Sequence, residues 1–182
     1  MANDSQQLSR NAILAAACLA LNLGLGKVSN LLGLPIVFDT VGSILAPALV
    51  GPWYALLVGI LSSFIGGVFI HPAFPYYVGT QLVIVLLAVA AMRLGLFSRL
   101  MTAIGTGVGI GVASAIVSAP VTALVFGGVT IPSVTALNVL FLASGKSLWQ
   151  SVLTGSIIVE SIDKVMASSL VWLILSRLPK LR

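Results

Sequence analysis

Three of the side chains that lipid tolerates least, Glu160, Asp163 and Lys164, lie together inside the last apolar run of the chain, Ser147 to Arg177. On a helix these positions are i, i+3 and i+4 and share one face, as opposite charges must in order to neutralise each other. Ser156, Leu153 and Trp149 continue the stripe towards the helix start. Lys146 and Arg177 bracket the run, and Glu160 falls roughly 20 Å from the first bracket, near the middle of a hydrocarbon core about 30 Å thick. A charge left facing lipid there costs about 2.5 to 3.5 kcal/mol or more. The charged face must therefore turn into a protein interior or a watered cavity. Two roles fit: the wall of a polar site, or an internal ion pair that locks this helix against a neighbour. A mixture also fits, in which Glu160 and Lys164 pair structurally and only the upper turns meet a ligand.

The elements that hold this face follow from composition. Of 182 residues, 59% are hydrophobic and 7% charged, with a mean hydropathy of +1.16, whereas soluble domains carry about 25% charged residues. An integral membrane protein is expected. The net charge of +5 comes from basic residues scattered between apolar runs, which act as topology signals and form no patch for nucleic acid. The single cysteine, Cys18, sits within an apolar run and is a small packing residue with no internal disulfide partner. The polar start, Met1 to Ser9, shows no small-residue cleavage site, so no signal peptide is expected.

Apolar runs occur at Asn11–Leu32, Pro35–Val50, Pro52–Ile70, Tyr76–Leu94, Leu100–Phe126 and Ser147–Ser176. The second is short for the roughly 20 residues a crossing requires, and Asp39, Thr40 and Pro47 weaken it further. With the N-terminus inside, Arg10, Arg93, Arg99, Arg177, Lys180 and Arg182 fall on the cytoplasmic side and only Lys27 and Lys146 opposite, as the positive-inside rule requires. The expected fold is an all-α integral membrane bundle of six transmembrane helices, one domain over residues 1–182, with both termini cytoplasmic.

Small residues mark helix contacts. Ala12, Ala16, Ala20 and Gly24 recur every four residues in the first run, and Gly59, Ser63 and Gly67 repeat the spacing in the third, which lets another helix approach closely. The glycines at 105, 107, 109 and 111 lack the preceding strand and following acid of a dinucleotide site, and read as overlapping small-xxx-small contacts. No His or Cys cluster for a metal, no protease helix motif, no Gly-x-Ser-x-Gly turn and no phosphate loop occurs. Neither enzymatic activity nor a metal or other cofactor is expected.

Polar and aromatic residues gather at the outer ends of the runs: Asn22, Lys27 and Asn30; Asp39 and Thr40; His71, Tyr76, Tyr77, Thr80 and Gln81; Asn138, Lys146, Trp149 and Gln150. Amides, tyrosines and a carboxylate on one side point to a binding site formed by Asn30, Asp39, Tyr76, Tyr77, Gln81, Asn138, Lys146, Trp149, Gln150 and Glu160. Trp149 is expected to stack on a flat ligand, with Gln150, Asn138 and Gln81 supplying hydrogen bonds and Asp39 or Lys146 a charge. The long link Gly127–Lys146 contains an apolar stretch, Val134 to Ala143, fit to form a short helix lying over this side as a lid.

This pattern resembles the substrate-binding S-components of energy-coupling factor (ECF) transporters, six-helix bacterial proteins that capture vitamins and related micronutrients. The resemblance is carried by Arg10 with the Ala12, Ala16, Ala20 stripe, by Pro35-Ile-Val-Phe-Asp39-Thr40-Val-Gly42 leading to Gly51-Pro52-Trp53, by the link Gly127 to Thr130, and by Glu160-x-x-Asp163-Lys164 followed by Leu178-Pro179-Lys180. It implies a multi-pass protein of a bacterial plasma membrane that binds a vitamin-like small molecule near the outer face. It implies partners too: a coupling transmembrane subunit, docked through Ala12, Ala16 and Ala20, and two cytoplasmic ATPases. A membrane sensory or structural module is the alternative from a different class.

Overall fold

The computed structural model describes residues 2–34 and 36–178. Pro35 and the basic residues Lys180 and Arg182 lie outside them. The described chain forms α1 (Ala2–Leu31), α2 (Val41–Val50), α3 (Pro52–Phe69), α4 (Val78–Arg93), α5 (Leu100–Pro120), α6 (Pro132–Ala143) and α7 (Leu148–Arg177). Short 3₁₀ turns at Phe74–Tyr77 and Leu96–Ser98 and a π-turn at Val121–Val125 join them, and no strand occurs among the described residues. Four stretches, Ser5–Leu31, Pro52–Phe69, Phe74–Arg93 and Leu100–Val125, are long and apolar enough to cross a membrane. Large apolar side chains such as Ile13, Trp53, Val68, Met101 and Leu124 lie exposed on the outside, as lipid-facing surface requires. The 30 residues of α7 reach about 45 Å, but its central charges set it apart from those four.

The second apolar run is not a plain span. Its helix, α2, has 10 residues, about 15 Å, and irregular chain at 36–40 leads into it. That chain descends along α1, so that Asp39 packs on Gly26 and Gly42 on Cys18 and Asn22. Gly42 allows the approach, since a Cβ there would sit 1.9 Å from the Cys18 carbonyl oxygen. Asn22, buried completely, fastens the corner. Its Oδ1 accepts from the amides of Gly42 (2.6 Å) and Ser43 (3.3 Å), and its Nδ2 donates to the hydroxyls of Ser43 and Ser62, each at 2.8 Å. Non-helical backbone at membrane depth persists only where protein satisfies it.

The most intimate contact is the antiparallel pairing of α5 with α7. Gly107 faces Lys164 and Val165, and Gly111 faces Glu160 and Ser161; an added Cβ would lie 2.6 Å and 2.5 Å from the nearest backbone carbon respectively. Gly105 and Gly109, on the other side of α5, have no neighbour within 4 Å, so one of the two overlapping small-residue spacings makes a helix contact within the chain. Gly59 packs on Val85 and Gln81 of α4. The alanines of α1 behave differently: Cys18, Asn22, Gly26 and Ser29 turn inward, while Ala12, Ala16, Ala20 and Gly24 remain exposed. The stretch expected to form a lid helix is α6, which packs along the first half of α7.

Candidate functional site

The irregular segment 36–40 is held by the charged face of α7. One carboxylate oxygen of Asp163, Oδ1, accepts from the backbone amides of Val37 (3.1 Å) and Phe38 (2.8 Å). The Ser29 hydroxyl donates to the Ile36 carbonyl. Phe38 takes a left-handed φ of 55°, a conformation costly for a bulky residue, on the order of 1–3 kcal/mol, that persists only when its surroundings enforce it. The other Asp163 oxygen accepts from Lys164 Nζ at 2.5 Å, and the same ammonium lies 3.0 Å from Glu160 Oε2. The Asp163 and Lys164 side chains are 1% and 3% exposed, that of Glu160 22%. The two roles left open by the sequence therefore fall on different residues: Asp163 clamps the descending chain, and Glu160 is the member that reaches open space.

That space is a cavity between the descending chain, α4, α5 and α7. Asp39 and Thr40 form one wall; Tyr77, Thr80 and Gln81 a second; Ser118 of α5 and Thr122 of the π-turn after it a third; Ser156, Val159, Glu160, Asp163 and Lys164 of α7 a fourth. Thr130, Ile131 and Val134 close it where the chain enters α6, and Phe74 and Ile84 add apolar surface. The centre of a water molecule can move through about 100 Å³, and all empty space between the walls, mouth included, amounts to about 800 Å³. A compact small molecule matches this size.

Polar groups around the cavity are fixed in advance. Gln81 donates to Asp39 Oδ2 at 3.2 Å and accepts from the Ser43 hydroxyl at 3.2 Å, which continues to Asn22. Tyr77 and Thr122 share a hydrogen bond of 2.8 Å. Phe126 stacks on Tyr77 with ring centroids 6.1 Å apart and meets Tyr76 edge-on at 5.2 Å, tying the turn before α4 to the end of α5. Thr122 sits in the π-turn that follows Pro120, an irregularity frequent at functional sites. The hydroxyls of Thr40 and Thr80 are buried without a partner. Among the described residues no three His, Cys, Asp or Glu side chains are grouped to hold a metal ion.

Of the site residues expected from sequence, the structure brings Asp39, Tyr77, Gln81 and Glu160 to this cavity. Asn30, Tyr76, Asn138, Lys146, Trp149 and Gln150 are not among the residues lining it. Asn30 belongs to the last turn of α1, where its carbonyl accepts from Gly33. Tyr76 is exposed beside Phe126. Asn138 is buried between α6 and α7, donating to the Gly128 carbonyl at 2.9 Å and packing on Gly155. Lys146 lies over the Phe141 ring and reaches Thr154. Gln150 completes the capping box with Ser147 that starts α7. Trp149 is 46% exposed, so the stripe from Glu160 does not carry it to the cavity. Thr40, Thr80, Ser118, Thr122 and Ser156 join the lining without having been singled out as binding residues. For Ser118 and Thr122 the four-residue spacing with Ser114 was the legible signal.

No protein-family model matches the chain, and no curated protein or solved structure matches it.

Proposed function

We propose that this chain is the substrate-capture membrane subunit of an ECF-type importer. In this reading it crosses a bacterial plasma membrane six times, counting α7 and the pair formed by segment 36–40 and α2, with both termini cytoplasmic. It takes a vitamin or related micronutrient from the outer side and docks to a coupling transmembrane subunit served by two cytoplasmic ATPases. The observation that carries the proposal is the polar cavity inside an otherwise apolar bundle, walled by Asp39, Gln81, Tyr77, Thr122 and Glu160. Intramembrane ionisable residues are costly and mark pathways or sites. A second feature agrees with it: Ala12, Ala16 and Ala20 form a small-residue stripe left uncovered by the chain itself, as a helix-docking face needs.

The test is co-purification with a coupling subunit and its ATPases. Ala16→Trp, on the outer face of α1, is expected to abolish assembly and uptake and to leave ligand binding by the isolated chain intact. Full assembly of the Ala16→Trp protein would refute the docking role.

A further inference from the structure

We infer that the molecule this cavity takes is a small organic cation, a protonated amine or cationic heteroaromatic ring, held by the carboxylates of Glu160 and Asp39 and covered on its apolar side by Phe74, Ile84 and Val134. The inference rests on the capture reading of the same cavity and assigns its ligand class. The first ground is the charge of the walls. Among the described residues, three carboxylates, Asp39, Glu160 and Asp163, line the cavity against one ammonium, Lys164, and no arginine or histidine joins them. Asp163 is fully engaged, one oxygen by two backbone amides and the other by Lys164, and Glu160 shares that single ammonium through Oε2. Three carboxyl groups therefore draw on one cation, and Asp39, bonded by Gln81, has no ion pair of its own among the described residues. Buried charge without compensation is expensive, and a cation placed between these groups offsets it.

The second ground is independent of charge. Thr40 and Thr80, 1% and 6% exposed, are among the residues that line the same cavity, and their buried hydroxyls have no partner within the chain. Buried polar atoms in folded proteins are paired, and a polar ligand reaching these hydroxyls, whether by accepting from them or by donating to them, supplies the missing partners. Among the described residues the carboxylates are not grouped to hold a metal ion, which leaves an organic cation as the positive group they would take. Tyr77 and Phe74 provide rings over which such a cation is attracted.

Benzylammonium, benzyl alcohol and benzoate share one ring and differ in charge, so they separate the classes. Isothermal titration calorimetry of the full chain in lipid nanodiscs, with empty nanodiscs as reference, is expected to show benzylammonium binding at least about tenfold more tightly than either analogue, the worth of one charge-assisted hydrogen bond. Glu160→Gln is expected to remove that preference, bringing benzylammonium to within about threefold of benzyl alcohol measured on the same variant. Should Glu160→Gln fold poorly, Asp39→Asn, which retains an oxygen for Gln81, is expected to weaken benzylammonium alone. Equal binding of the three, tighter binding of benzoate, or no binding of any overturns the inference. A benzoate preference leaves the capture reading standing, whereas failure to assemble with a coupling subunit removes the capture reading and leaves a measured cation preference intact.

Discussion

Replacing Asp163 with alanine removes one acceptor from two backbone amides at once, those of Val37 and Phe38. A hydrogen bond to a charged group contributes about 1.5 to 3 kcal/mol, so the pair holds segment 36–40 with roughly 3 to 6 kcal/mol. Phe38 carries a left-handed φ of 55°, and without the carboxylate the hydrogen bonds of Ser29 to Ile36 and of Gln81 to Asp39 remain at either end of the segment while the two amides beside Phe38 lose their anchor. At 1.4 kcal/mol per factor of ten, opening of the segment becomes roughly a hundredfold more frequent or greater. Hydrogen-exchange mass spectrometry on peptides covering residues 33–40 is expected to record that loss of protection, while peptides from the centre of α3 change little. Asp163→Asn retains an oxygen for the two amides but sets an amide donor against Lys164 Nζ, so it is expected to lower global stability with a smaller effect on segment 36–40. Unchanged protection at Val37 and Phe38 in Asp163→Ala would show that the clamp does not hold this chain.

Four further outcomes follow from the same geometry. Gly111→Leu, which drives a side chain into the α7 backbone at Ser161, is expected to reduce folded yield severely, whereas Gly109→Leu, with open space beside it, should express normally in a fluorescence size-exclusion assay. Asn22→Leu strands the Gly42 amide and the Ser62 hydroxyl and leaves the Ser43 hydroxyl only Gln81, and is expected to cost about 2 kcal/mol or more at 1–3 kcal/mol per unpaired group, read by denaturant titration in detergent. On a Cys18→Ala background, Ser98→Cys is expected to react with impermeant maleimide only from the cytoplasmic side and Ser144→Cys only from outside; labelling of both from one side would refute the six-span topology. Trp149→Ala is expected to leave ligand affinity within about twofold, because Trp149 lies away from the cavity wall and contributes none of the roughly tenfold that a desolvated aromatic contact carries.

Much of this architecture was legible in the sequence, and the exceptions have physical causes. Run length and hydropathy identify the long apolar helices, because hydrophobic thickness fixes their length. The weakness of the Pro35–Val50 run, with Asp39 and Thr40 inside it, was the visible trace of a short helix entered by irregular chain. Its descent along α1 depends on Asn22 and Gly42 meeting across the bundle, which no local pattern encodes. The shared face of Glu160, Asp163 and Lys164 follows from helical spacing alone. Which carboxylate clamps and which faces open space depends on where Val37 and Phe38 arrive. Trp149 shows the limit of extrapolating a stripe: eleven residues is three turns, and over that distance α6 intervenes with its own packing against α7. Ser118 and Thr122 follow a glycine-rich stretch whose close spacing encodes the α5–α7 contact, and hydroxyls at helical spacing beyond it are equally compatible with packing or with a cavity wall.

The capture reading stands or falls on whether the cavity holds a small molecule. Native mass spectrometry of the full chain, released from nanodiscs after purification from its natural host, measures this directly. The expected spectrum contains a one-to-one complex with a water-soluble small molecule, lost in Thr122→Trp, which puts an indole in place of a small side chain of the cavity wall. A spectrum with lipid adducts alone, identical in the wild-type and Thr122→Trp proteins, would contradict it.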